Sequence, residues 1–273
     1  MPVDPNLRTL DIEIPTQPEV LVQLSMLMSE EDIDLNAISS LVETDMALAA
    51  AVLKAVNSSL YGLRGRVQTV QQALTYLGLR EVSAITFEMG LRAAFPPAAE
   101  LEPVWQRAAE RGLMMGRMGQ MLGVDPWAAH SAGLFEECGK AVLYRHAPSH
   151  YPAMLRAAGS DAELVQLERT AFGVSHDALG AALCESWGLA PAAVASVRHH
   201  VEVQATLQMP DTLQRRGISA ISTIASVLLS DVTQLETVAH EIAPQASLDE
   251  ALMLRAARRI TEQLETAKEH ERG

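Results

Sequence analysis

At 273 residues the chain has room for one large domain or two of ordinary size. Hydrophobic residues make up 48% and aromatics only 4%, which excludes disorder as the default and favours helices packed closely on small aliphatic side chains. The formal net charge of -13 argues against nonspecific binding to nucleic acid or anionic lipid, since both depend on neutralising phosphate, and leaves a local basic patch open.

Helical spacing begins early. Val20, Leu21, Leu24, Leu27 and Met28 form one stripe, and Pro18 sits near its start, where a missing N–H costs little. Asp34 is placed to cap a helix carrying Leu35, Ile38 and Val42, and Asp45 to cap another with Leu48, Val52, Leu53 and Val56 inward. Thr69 opens a helix that Gly78 closes, and a further one runs from about Arg80 towards Arg92. Phe95-Pro96-Pro97 then interrupts the pattern, because proline cannot continue a helix.

The second half continues alike. A helix is expected from about Pro103 to Leu122, ending at Gly123, and Asp125-Pro126 is a strong helix start. Asp161 and Ser175 read as further caps, and Ala190-Pro191 begins a helix running into His199-His200. Beyond Pro210 two helices are expected, roughly Ile218 to Leu229 and Leu248 to Ala267, before a frayed charged tail. No strand alternation appears, so the expected class is all-α. The segment Ala73 to Met89 superficially matches a helix-turn-helix, but the overall charge is wrong for DNA. Lys54, Arg64, Arg66, Arg80 and Arg92 read as a solvated face.

Cys138 and Cys184 cannot frame a metal site alone and read as buried, inert thiols in a reducing compartment. The N-terminus lacks a signal-peptide pattern and no uncharged apolar run is long enough to span a bilayer, so a cytoplasmic protein is expected. Met114, Met115, Met118 and Met121 fall at helical spacing and read as core or interface packing.

One run carries chemical information. Gly133 to Lys140 reads GLFEECGK, the frame of a phosphohydrolase motif in which His-Asp would stand at Glu136-Glu137. Around it lie Ile14-Pro15-Thr16-Gln17-Pro18, Thr44-Asp45-Met46-Ala47-Leu48, Val56-Asn57-Ser58-Ser59-Leu60-Tyr61 and Ala73 to Gly78. The Trp105 region, Phe172 to His176, Ser186 to Leu189 and His199-His200 follow in order. With these motifs the stretch from about Ile14 to Val201 resembles the HDOD family, a bacterial signalling relative of the HD phosphohydrolases.

The resemblance implies an HD-like multi-helix bundle with an N-terminal helical subdomain. Expected boundaries are an extension over 1–13, an N-terminal half over 14–97, an HD-like half over 98–205 and a C-terminal helical extension over 206–273. HD chemistry needs a histidine, an adjacent His-Asp pair and a distant aspartate to hold divalent ions that generate hydroxide. Here the first ligand aligns with Arg107 and the pair is Glu136-Glu137, so an ion pair from Arg107 to either glutamate is expected in place of a metal. No catalytic residue, metal or cofactor is expected.

Lys140, His176, His199 and His200 remain as a possible ligand pocket. The alternative for Lys140 is a helix-terminal charge; for His176, a helix start; and for His199-His200, a helix end favoured by the dipole. Adjacent helical side chains point about 100° apart, so His199 and His200 rarely serve one ion. Asn57 and Ser58 match a family signature, and an Asn-Ser pair after a helix commonly satisfies exposed carbonyls. The resemblance implies a noncatalytic regulatory protein acting through protein partners. Its rivals are a sensor of a nucleotide or cyclic dinucleotide, and a phosphodiesterase with an unusual metal site. With no receiver or membrane-sensor segment recognised, input is expected in trans or through the C-terminal helices, and a homodimer remains open.

Overall fold

Capping side chains and apolar residues three and four apart set almost every element of the computed structural model, which describes residues 11–28, 32, 34–58 and 67–272, with side chains to Thr266. Fourteen α-helices and no strand occur among the described residues. They fall into two units, Thr16–Phe95 with the chain end from Thr261, and Pro96–Ile260 with the residues up to Pro15. The division lies within the Phe95-Pro96-Pro97 interruption.

The smaller unit holds α1 (Glu19–Met28), α2 (Leu35–Thr44), α3 (Met46–Val56), α4 (Val70–Leu77) and α5 (Leu79–Ala93). Asp34 accepts from Asn36 N, and Asp45 accepts from Ala47 N and Leu48 N, each satisfying N–H groups that the first helical turn leaves unpaired. Leu21, Leu24, Ile38, Val42, Val52, Val56 and Phe87 are buried in its core. At Gly78, φ of 81° lets α4 end and α5 begin without an intervening loop.

The larger unit is built on α6 (Glu102–Leu122) and α7 (Pro126–His146), which pack along each other. Around α7 lie α10 (His176–Ser186), α11 (Pro191–Thr206) and α12 (Gly217–Ser230). The short α8 (Tyr151–Ala157) and α9 (Asp161–Phe172) bridge α7 to α10, and α13 (Leu235–Gln245) and α14 (Glu250–Arg272) follow. Small residues permit the closest approaches: a Cβ on Gly133 would lie 2.8 Å from the Gly112 backbone, and one on Gly139 would lie 1.9 Å from the carbonyl oxygen of His176.

Several expectations need correction. Ser160, not Asp161, caps α9, its hydroxyl accepting from Glu163 N, which leaves Asp161 as a helical residue whose carboxylate is not spent on capping. Helix α11 does not stop at His199-His200 but runs to Thr206. Helix α13 lies between the two helices expected beyond Pro210; its Pro244 sits in the last turn, where the clash with the preceding turn is confined to the helix end. Residues 206–273 are not set apart as one extension: α12 packs on α6, α7 and α11 and buries Ile218, Ile221 and Ile224 in the core of the larger unit. The backbone of α14 extends through most of the tail expected to fray.

Candidate functional site

The GLFEECGK run lies in the middle of α7, and every residue from Ala128 to Leu143 is buried. Helix α6 lies across it and presents Arg107 and Arg111, one turn apart on the same face. Arg111, fully buried, places Nη1 2.7 Å from Glu136 Oε2 and Nε 3.4 Å from Glu137 Oε1. Arg107, whose side chain is 40% exposed, places Nε 3.1 Å from the same Glu137 oxygen and Nη2 3.7 Å from Asp161 Oδ2. From below, Lys140 Nζ lies 2.7 Å from Glu137 Oε2 and 2.8 Å from Asp161 Oδ1. Three cations thus face three carboxylates.

Electrostatics follow from this balance. Burial alone would raise the Glu137 carboxyl, but Lys140 and Arg111 overcome it and hold it down to about 2. Burial also opposes the charge on Asp161, yet Lys140 keeps its carboxyl well below the ordinary carboxylate range. Burial pulls Arg111 and Lys140 towards their neutral forms, and the facing carboxylates more than offset that. Lys140 therefore has neither expected role in simple form. It lies inside α7 rather than at its end, and its ammonium is already held by two carboxylates.

A second buried cluster lies on α8 to α11. Glu168, fully buried, accepts from the Tyr151 hydroxyl at 2.5 Å, from His176 N at 2.7 Å and from His176 Nδ1 at 2.8 Å. The ring of His200 lies 5.7 Å from that of His176 and its Nδ1 donates to Val197 O at 2.7 Å. Because a carbonyl only accepts, Nδ1 of His200 carries the proton. Burial lowers the His200 pKa, reinforced by His176 and Arg111, so the ring is held neutral, not as the helix-end imidazolium expected. His199 points elsewhere and approaches Glu202 at 3.5 Å. The structure thus brings His176 and His200 together, with Arg111 and Glu136 acting on His200, and leaves His199 out.

Four residues of these clusters escaped the sequence reading. Arg111 had a signal, one helical turn beyond Arg107. Asp161 was read as a cap, while Glu168 and Tyr151 belong to no motif. Elsewhere, Asn57 bridges two segments through Nδ2 to Leu53 O and Val67 O and through Oδ1 from Val67 N. The Ser59-Leu60-Tyr61 part of that signature lies outside the described residues. Both cysteines are buried; burial pushes the Cys184 thiol up to about 12 and Cys138 higher than its ordinary value. Their thiols stay protonated and unreactive.

The HDOD domain model matches residues 14–203. The chain belongs to the HDOD family. An uncharacterized protein of Treponema pallidum (strain Nichols) is 27% identical over 200 residues, 69% of this chain and 37% of that one, so the chain spans well under half of that relative. Solved structures share the fold. An HDOD domain protein of unknown function from Geobacter sulfurreducens has a TM-score of 0.68 at 19% identity, covering 93% of this chain and 94% of its own. A protein of Marinobacter aquaeolei VT8, named provisionally for signal transduction, gives 0.72 at 21%, covering 95% of this chain and 59% of its own. One of Shewanella amazonensis SB2B, named provisionally as a phosphohydrolase, gives 0.67 at 19% and covers 96% of each chain.

The HD relatives imply a divalent metal, and the donor set of this HDOD chain does not suit one. Glu136 and Glu137, the residues expected at the His-Asp positions of an HD motif, each already face a guanidinium or ammonium at 2.7 Å. A divalent ion placed there would meet Arg111 and Lys140 within the same shell. Among the described residues no group of three or more His, Cys, Asp and Glu side chains converges on one point.

Stability should fall on acidification below pH 4.5. Glu137 has a folded pKa of about 2 against an ordinary 4.5, so its contribution is complete above pH 4.5 and is lost as pH falls towards 2. His200 acts in the same direction: its folded pKa lies below 6.5, so the unfolded chain takes a proton first as pH drops through 6.5. Glu88 acts the other way between pH 7 and 4.5, because burial raises its carboxyl to about 7 and the folded protein takes up that proton first. Chemical denaturation at a series of pH values should therefore show opposed effects of His200 and Glu88 above pH 4.5 and a steep loss of stability between 4.5 and 2. Glu137→Gln should flatten the lower limb. An unchanged limb in that variant would remove Glu137 from the account.

Proposed function

We propose that this HDOD protein is a noncatalytic regulatory module that acts through protein contacts in signal transduction. The observation that supports the reading is the buried ion-pair network on the glutamates expected at the HD motif: Arg111 on Glu136, and Arg107 with Lys140 on Glu137 and Asp161. A divalent ion bound to these carboxylates would have to displace the cations they already hold, or share their shell with them. The neutral His200 and the buried His176 are built into the same interior, with their Nδ1 atoms committed to Val197 O and Glu168.

Two measurements test this together. Calorimetric titration with manganese is expected to give no saturable heat, and the protein is expected to leave cyclic dinucleotides and bis(p-nitrophenyl) phosphate intact with manganese present. Stoichiometric metal binding, or hydrolysis that disappears on Glu136→Gln, would overturn the proposal.

A second reading has its own observation. A cleft of about 740 Å³ opens beside the network, lined by Arg107, Glu137, Lys140, Arg156, Ser160 and Asp161 among others. Its size suits a small metabolite. A dose-dependent rise in melting temperature with nucleotides, lost in Arg107→Met/Arg156→Met, would favour a sensor. Among the described residues of the lining, Arg107 and Lys140 are balanced by Glu137 and Asp161, which leaves Arg156 to meet a phosphate, and this is why the adaptor reading stands first.

A further inference from the structure

The smaller unit carries an apolar groove between α1 and α2 whose charge setting identifies an occupant. Its volume is about 410 Å³, with Met26, Leu27, Ala37 and Leu41 as apolar lining and Gln23 and Thr44 among the polar lining residues. Among the described residues no charged side chain lines it. Met26 is 64% exposed, and thioether side chains of this kind adapt to varied apolar partners. At the starts of α2 and α3, Leu35 and Met46 are exposed as well, at 44% and 85%.

Around this groove the sequence is wholly acidic. From Thr16 to Leu53 there is no Lys, Arg or His, while Glu19, Glu30, Glu31, Asp32, Asp34, Glu43 and Asp45 supply seven negative charges, over half of the net -13. Among the described ones, Glu19, Asp32, Asp34, Glu43 and Asp45 are exposed and none forms an ion pair with another described residue. Asp34 and Asp45 cap helices, which accounts for their position but does not neutralise their charge.

We infer that the α1–α2 groove docks a basic amphipathic helix of a protein partner. The apolar stripe of such a helix fills the groove, and Lys or Arg beside the stripe meet the acidic surround. Other occupants are disfavoured by the same charges. Anionic lipid and nucleic acid would be repelled, and a second copy of this groove would set the exposed Glu19, Asp32, Asp34, Glu43 and Asp45 against the same five carboxylates. An enclosed metabolite would find no charged group among the described residues of the lining. The inference rests on the adaptor reading and names the chemistry of its partner.

The test uses the whole chain and a fluorescein-labelled Leu/Lys peptide of about 14 residues, with leucine at i, i+3, i+4 and i+7. A matched peptide carries Glu at every Lys position. Fluorescence anisotropy should give saturable binding of the Leu/Lys peptide, weakened by salt, and at least about tenfold weaker binding of the Leu/Glu peptide. Met26→Lys/Ser40→Lys changes two exposed positions, so the fold is retained, and should weaken the Leu/Lys peptide about tenfold. Amide shifts in the full-length protein should be confined to α1 and α2. The inference is overturned by no saturation, by equal binding of both peptides, by an unaffected double variant, by shifts elsewhere, or by sedimentation showing a dimer that Met26→Lys/Ser40→Lys dissolves. Failure here leaves the noncatalytic reading intact, because manganese binding and hydrolysis decide that separately; hydrolysis with peptide binding preserved removes the noncatalytic reading alone.

Discussion

Arg111→Met is expected to destabilise the protein by about 3–5 kcal/mol, because it leaves Glu136 charged, fully buried and without its 2.7 Å partner. The loss measures an uncompensated charge, not the net worth of the pair. Removing both ends therefore separates the two ideas. Arg111→Met/Glu136→Leu fills the same space with apolar atoms, and its unfolding free energy is expected to return to within about 1 kcal/mol of the parent, or above it. Glu137 keeps Lys140 and Arg107 in that variant, so the rest of the network survives. Arg107→Met supplies the contrast. Its side chain is 40% exposed, and its pairing is worth no more than about 1 kcal/mol. Urea denaturation of the three variants checks the order. A double variant as unstable as Arg111→Met would mean that the pair is held for a reason other than charge balance.

That order was only partly legible beforehand. Arg107 and Glu136-Glu137 could be found because they occupy motif positions, but a motif fixes places, not partners. Arg107 reaches Glu137, while the buried contact to Glu136 comes from Arg111, one turn on and visible in sequence as an i+4 neighbour. Helix starts at Asp34, Asp45, Thr69 and Asp125 were readable because capping is local chemistry. The same chemistry was ambiguous at Ser160-Asp161, where two adjacent residues can both cap. The choice of Ser160 is what turns Asp161 towards Lys140. Glu168 and Tyr151 were beyond reach, since what joins them to His176 is the packing of α8, α9 and α10 rather than any spacing. The His199-His200 pair was half legible: adjacent positions had to diverge, but which ring went inward depended on helix α11 continuing past them.

Gly139→Ala is expected to be about as damaging as Arg111→Met, at about 3 kcal/mol or more, for a reason of shape alone. In the sequence Gly139 looked like one letter of a motif; in the fold it is the point where α7 meets the backbone of α10. An added Cβ would lie 1.9 Å from His176 O and 2.9 Å from Gly180 N, and backbone atoms cannot swing aside as a side-chain terminus does. Helix α10 must move as a body. His176 begins that helix, so the shift would pull its N–H and Nδ1 away from Glu168, leaving a buried carboxylate short of two of its three donors. Gly159→Ala is the control, because its Cβ would meet only the tip of Glu163 at 3.3 Å, and it should change stability by less than about 0.5 kcal/mol. Denaturation midpoints give the two magnitudes, and the His176 ring resonances report whether the contact to Glu168 is lost. If Gly139→Ala is stable and the His176 resonances are unmoved, α10 is not held against α7 by this contact, and the buried Glu168 cluster does not depend on it.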